Sequence, residues 1–237
     1  MKIDREQIGF SIQNILEESV SCGNADGLQC AAFLNGELIV NAWAGRLRKS
    51  SRNEVGPNSL FPVFSAGKAI ASAAALRLVE RGVISLDTRI ADLWPEFACN
   101  GKSEIRLHHI LTHRSGLFLT PECTSPEEFA DWDAMCAKIA RMTPAFEPGS
   151  KTVYQSLNYT WLLGEPVRRA CGIPFQEVIR QEILEPLGIA GFRLQQFLYQ
   201  RISCRGGSDR HPDCELHWQY DRTAVLRIQG RIKKRQL

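Results

Sequence analysis

Phe64-Ser65-Ala66-Gly67-Lys68 opens a run of apolar and small residues that continues to Arg81 before Gly82 interrupts it. Residues 65–81 read as a helix with almost no polar face, and such a helix is expected to be buried. Ser65 and Lys68 stand three residues apart, on one face of it and within reach of each other. A serine hydroxyl is a poor nucleophile until a neighbour takes its proton. A lysine does so only as the free amine, the form that burial favours. The helix start adds positive potential for a developing oxyanion. Ser-x-x-Lys alone is a weak pattern, but a lysine in an Ala-rich apolar helix is costly unless it is paired or catalytic.

Outward toward the N-terminus, Ile8, Ile12, Ile15 and Leu16 recur at helical spacing, and Gly23 follows as a stop. An amphipathic helix is expected over 3–21. Residues 28–34 and 37–44 are rich in strand formers and are joined by Asn35-Gly36, a dipeptide suited to the positive φ angles of a two-residue hairpin turn. Outward toward the C-terminus, helices are expected near 106–113, 126–141, 157–170 and 174–184. Between the second and third of these, Pro148-Gly149 turns the chain so that Tyr154 arrives just ahead of an apolar helix. There its phenol either projects into a cleft or caps the edge of the core.

The 237 residues, 44% apolar, can bury a real core, and a net charge of +3 gives no strong pull toward nucleic acid or an anionic membrane. Residues 190–237 carry ten of the 29 Lys/Arg but four of the 26 Asp/Glu, so the basic excess sits there. Arg231, Lys233, Lys234 and Arg235 read as a solvated end. No run of residues has the length of a membrane span, and the charged start lacks the apolar core of a secretory signal. The eight cysteines are scattered without a Cys-x-x-Cys pair, which fits reduced thiols in a cytoplasmic protein. Cys204, His211, Cys214 and His217 match no familiar zinc spacing, and neither a metal nor an organic cofactor is expected.

Taken in order, these segments carry a wider pattern. Phe64-Ser65-Ala66-Gly67-Lys68 is followed by Leu78-Val79-Glu80-Arg81-Gly82 and Leu86-Asp87. Leu93-Trp94-Pro95-Glu96-Phe97 and Ile110-Leu111-Thr112-His113-Arg114-Ser115-Gly116-Leu117 come next. Pro148-Gly149-Ser150, Tyr154 and Leu162-Leu163-Gly164 complete it. From about residue 28 to 190 the chain resembles the serine beta-lactamase-related family, which includes class C beta-lactamases, D-Ala-D-Ala carboxypeptidases and carboxylesterases with a beta-lactamase fold. The resemblance implies an α+β, penicillin-binding-protein-like fold, with an antiparallel sheet flanked by helices and a mostly helical lobe. It also implies roles: Ser65 forms the acyl-enzyme, Lys68 activates it, and Tyr154 shuttles the proton to the leaving group and later activates water. Lys68 and Tyr154 would then titrate as a coupled pair. His113 and Ser115 would serve as scaffold, and His108 and His109 as surface or capping residues.

The tyrosine motif of the lactamase and peptidase branches is Tyr-x-Asn, whereas this chain has Tyr154-Gln155-Ser156. That tilts the expectation toward the esterase-like branch, with a small-molecule ester or amide as substrate. The alternatives are a beta-lactamase or D-alanyl-D-alanine carboxypeptidase, and an inactive truncated pseudoenzyme or interaction protein. The family's third motif, Lys-Thr-Gly or an equivalent on a late strand, is not found: Lys151-Thr152 is followed by Val153, and Gly206-Gly207 comes too soon. Residues 1–192 are therefore expected to form the N-terminal portion of the domain, with an incomplete sheet, and 193–237 an atypical basic tail. The sequence carries no signal of oligomeric state.

Overall fold

Helix α1 (Arg5–Ser21) begins at Asp4, whose carboxylate accepts the Gln7 N–H at 3.0 Å and so satisfies one of the free donors of the first turn. It opens the structure of this chain, a computed structural model that describes residues 4–47, 52–61, 63–123 and 125–189. These residues fall into two compact units that divide between Val63 and Phe64.

In the first unit α1 packs on an antiparallel hairpin of β1 (Gly27–Leu34) and β2 (Glu37–Gly45). Leu34 pairs with Glu37, leaving Asn35 and Gly36 as a two-residue loop with φ of 51° and 81°. Both angles are positive, as the twist of a tight hairpin requires. The register slips between Ala32 and Phe33, a bulge that the sequence did not signal. Val40, Ala42 and Ala44 alternate along β2 as its buried face. The Gln13 amide ties helix to hairpin by donating to the Trp43 carbonyl at 3.1 Å. Gly45 has φ 83°, and a Cβ there would lie 2.3 Å from the Asp26 carbonyl oxygen, so only glycine fits. The amphipathic reading of α1 holds in part: Ile8, Ile12 and Leu16 are half-buried, whereas Ile15 is 54% exposed, off the packed stripe.

The second unit is helical. A 3-10 turn (Phe64–Ala66) leads into α2 (Gly67–Glu80), then α3 (Ile90–Leu93), a 3-10 turn (Pro95–Ala98), α4 (Leu107–Leu111), α5 (Pro126–Ala130), α6 (Trp132–Arg141), α7 (Tyr159–Cys171) and α8 (Phe175–Ile179), which runs on into a π-helical turn (Arg180–Leu184). The expected helix over 126–141 is two. Asp131 leaves helical geometry at φ −74° and ψ 109°, and its carboxylate accepts the Ala134 N–H at 2.9 Å, capping α6.

The helix expected over 65–81 begins at Gly67, with Ser65 in the 3-10 turn before it, and it is less buried than its composition suggested. Ala71, Ala74, Ala75 and Leu78 form one buried stripe packed on α7 and α8, while Leu76, Arg77 and Glu80 are exposed. Alanine made its composition look wholly buried, yet alanine favours helix on any face. The helix ends where Gly82, at φ 72°, supplies the left-handed residue of its C-terminal cap.

At the centre of this unit lies α7, whose Leu162, Leu163 and Val167 are fully enclosed. Gly164 is the point of closest approach: a Cβ there would meet ring atoms of Phe175 and Trp132 at 2.6 Å each. Glu165 is buried and clamped by the Trp132 Nε1–H (2.7 Å) and by Arg168 and Arg169 (2.7–2.8 Å), which hold its carboxyl down at a pKa of about 2 against the upward pull of burial. Lys102 is wholly enclosed too, its ammonium donating to the carbonyls of Cys99 (2.7 Å) and Met142. The sequence pattern had marked neither charge.

Candidate active site

Phe64 sits in the left-handed region at φ 42°, unusual for an aromatic residue, and the chain turns there so that Ser65 emerges exposed at the head of α2. One turn on, the half-buried Lys68 donates from Nζ to Ser65 Oγ at 2.9 Å and to the Ser156 carbonyl at 2.7 Å. The ammonium lies 5.0 Å from the centroid of the Tyr154 ring and 5.9 Å from that of Tyr159. The structure thus brings together the three residues that the sequence nominated, Ser65, Lys68 and Tyr154.

Tyr154 reaches this point because the loop after α4 holds the segment that carries it. The Gly116 carbonyl accepts the Ala145 N–H (3.0 Å), the Arg114 carbonyl that of Gly149 (2.8 Å), and the His113 carbonyl that of Val153 (2.9 Å). His113 Nδ1 accepts the Gln155 N–H at 3.1 Å. Beyond it, Asn158 donates from Nδ2 to the carbonyls of Leu117 (3.2 Å) and Leu119. The buried Gln155 amide bonds to Ser115 Oγ and faces His113 Nδ1 at 3.2 Å, so it is withdrawn from the site. His113 and Ser115 stand where the scaffold expectation puts them. His109 ties down its own helix, its Nδ1 accepting the Arg106 N–H at 3.1 Å.

The electrostatics follow from these contacts. Burial raises the Tyr154 phenol, but hydrogen bonds with Ser65 and Lys68 and the lysine's charge outweigh it, so the pKa falls below the ordinary tyrosine value. Burial depresses His113 against an upward pull from its contact with the Gln155 side chain, and the charge of Lys68 acts with burial. His113 Nδ1 faces both the Gln155 N–H (3.1 Å) and the Gln155 Oε1 (3.2 Å); where it accepts the first, a neutral ring carries its proton on Nε2.

Two further residues join the site. Ser72, one turn below Lys68, donates to the Lys68 carbonyl at 2.7 Å and shares a 2.6 Å hydrogen bond with the buried Tyr159 hydroxyl. Burial pushes the Tyr159 phenol up. Their only trace in the sequence is a hydroxyl at i+4 from the lysine and an aromatic ring at the start of α7, too common to single out.

Among the described residues no group of three or more His, Cys, Asp or Glu is placed to hold a metal ion, and no helix is long and apolar enough to cross a membrane. Cys204, His211, Cys214 and His217, and the basic tail, lie outside those residues.

A hairpin with a helix against it, a helical unit, and a serine hydrogen-bonded by a lysine three residues on are features of beta-lactamase-fold proteins. The chain belongs to the Beta-lactamase family, which it matches over residues 12–226. It is 29% identical over 164 residues to the Esterase/beta-lactamase LipL of Mycobacterium tuberculosis, covering 69% of this chain and 38% of that protein. To Esterase EstB of Burkholderia gladioli it is 26% identical over 204 residues, covering 79% and 52%. Among solved structures, a penicillin-binding protein homologue from Caulobacter crescentus superposes with a TM-score of 0.71 at 35% identity, covering 78% of this chain and 49% of that one. A family VIII carboxylesterase gives 0.70 at 26%, covering 76% and 49%. The chain therefore spans about half, or less, of the length of these relatives.

Proposed function

We propose that this chain carries the site of a serine hydrolase that cleaves small carboxylic esters through an acyl-Ser65 intermediate. The observation that carries the reading is the 2.9 Å hydrogen bond between Lys68 Nζ and Ser65 Oγ, with the Tyr154 ring centroid 5.0 Å from the same nitrogen. In the first half-reaction Lys68, as the free amine, takes the Ser65 proton while Oγ attacks the ester carbonyl. The oxyanion forms at the N-terminal end of α2, where the helix dipole is positive. Tyr154 passes a proton to the departing alkoxide. In the second half-reaction the phenolate takes a proton from water, whose oxygen attacks the acyl carbon; the Oγ–acyl bond breaks, Lys68 returns its proton to Ser65 Oγ, and the acid leaves. The site asks for no metal or organic cofactor, and the substrate is a small molecule rather than nucleic acid or a membrane. A cytoplasmic setting suits the scattered cysteines.

The preference for esters over beta-lactams rests on the tyrosine segment. Ser156 stands at the third position of the motif, where the lactamase and peptidase branches place an asparagine amide. The Gln155 amide cannot substitute, because it is buried against Ser115 and His113. The relative named Esterase EstB supports the same reading. The test compares initial rates on p-nitrophenyl butyrate and a chromogenic cephalosporin. Faster ester turnover is expected; faster cephalosporin opening overturns the preference.

A further inference from the structure

The proposed chemistry gives the loop after α4 no part, yet one residue in it holds the catalytic tyrosine's chain on both sides. His113 accepts the Val153 N–H on its carbonyl (2.9 Å) and the Gln155 N–H on ring Nδ1 (3.1 Å). The two neighbours of Tyr154 therefore hang from a single residue. The His113 ring lies 4.8 Å from the Tyr154 ring and 5.1 Å from that of Tyr159, by centroids. Tyr154 itself is 50% exposed, so packing alone gives its phenol little reason to keep one place. His113 also adopts φ 58°, a backbone state that histidine visits less readily than glycine or asparagine. That state brings the carbonyl and the ring nitrogen of one residue to the same strand of chain.

We infer, on the acyl-serine reading above, that His113 is a positioning residue for Tyr154: its unprotonated Nδ1, acting through the Gln155 N–H, sets the phenol between Ser65 and Lys68. Proton transfer depends on placement at the ångström scale, so a residue that never touches substrate can govern the rate.

The readout is the ultraviolet titration of the Tyr154 phenol in the full chain, assigned by its loss in Tyr154→Phe. Ser65, Lys68, His113 and Tyr159 are the groups that face this phenol. His113→Gly keeps the left-handed backbone and removes the acceptor. His113→Asn keeps the backbone and returns an oxygen acceptor at the Nδ1 position. The glycine variant is expected to titrate Tyr154 upward, toward ordinary tyrosine, with kcat on p-nitrophenyl butyrate reduced on the order of tenfold to a hundredfold. The asparagine variant is expected to stay near the parent in both. A folded glycine variant that titrates like the parent, or an asparagine variant shifted as far as glycine, overturns the inference. Should the glycine variant not fold, histidine ¹⁵N shifts of the parent decide. An unprotonated Nδ1 on His113, assigned through the asparagine variant, supports the inference, and a protonated one overturns it. The titration needs no substrate. Absent ester hydrolysis with a displaced phenol would sink the proposed function and leave the positioning role standing; the reverse result would do the opposite.

Discussion

Tyr154 and Lys68 differ in how the sequence announces them. The Ser65–Lys68 pair is a local event, three residues apart from the 3-10 turn into the first turn of α2, so the pattern alone brings it within hydrogen-bond reach. Tyr154 comes from elsewhere in the chain, and only the fold shows its phenol with both partners, its pKa lowered by them. The hydrogen bond between Ser72 and Tyr159, 87 residues apart, was illegible for the same reason: neither residue has a local partner that would mark it. Two outcomes belong to this scale. Tyr154→Phe keeps the ring and removes the proton carrier, and kcat for ester hydrolysis is expected to fall about a hundredfold or more, measured by steady-state kinetics. Lys68→Met keeps the bulk of the side chain but leaves Ser65 without its base, and acylation is expected to fall by a similar or larger factor, measured by the burst of p-nitrophenol.

Helix α7 is the element that orders the second unit. Its sequence was readable as an apolar helix near 157–170, and it runs from Tyr159 to Cys171. The role of Glu165 was not, since a charge in such a run looks like the solvent-facing edge until Trp132, Arg168 and Arg169 are seen around it. Glu165→Gln strips two arginines of their shared partner and is expected to cost about 3 kcal/mol of stability, read from denaturant unfolding. The parent should show the matching pH dependence. The folded pKa of Glu165, about 2, lies below the ordinary glutamate value of 4.5, so its contribution is present above that ordinary value and is lost as pH falls toward the folded one. Acid destabilisation across this window should be weaker in Glu165→Gln. At the next residue inward, Gly164→Ala drives a methyl into the rings of Phe175 and Trp132, with an expected loss of about 1–3 kcal/mol, visible as a lower Tm.

At the scale of the whole molecule, the hairpin and two helix ends were legible because each has strong local punctuation: Asn35-Gly36 at the turn, Gly23 and Gly82 after helices. The boundary between α5 and α6 was missed because the apolar period runs through Asp131, and a single capping carboxylate decides against one continuous helix. The burial of α2 was overstated because alanine carries no direction. The family membership defines a beta-lactamase-fold scaffold; Ser65, activated by Lys68 and Tyr154, is its proposed nucleophile. The direct test treats the purified, folded chain with a fluorophosphonate and maps the adduct by peptide mass spectrometry. The account predicts one covalent adduct, on Ser65, absent from Ser65→Ala and slowed in Lys68→Met. Folded protein that stays unlabelled, or an adduct on any other residue, would contradict it.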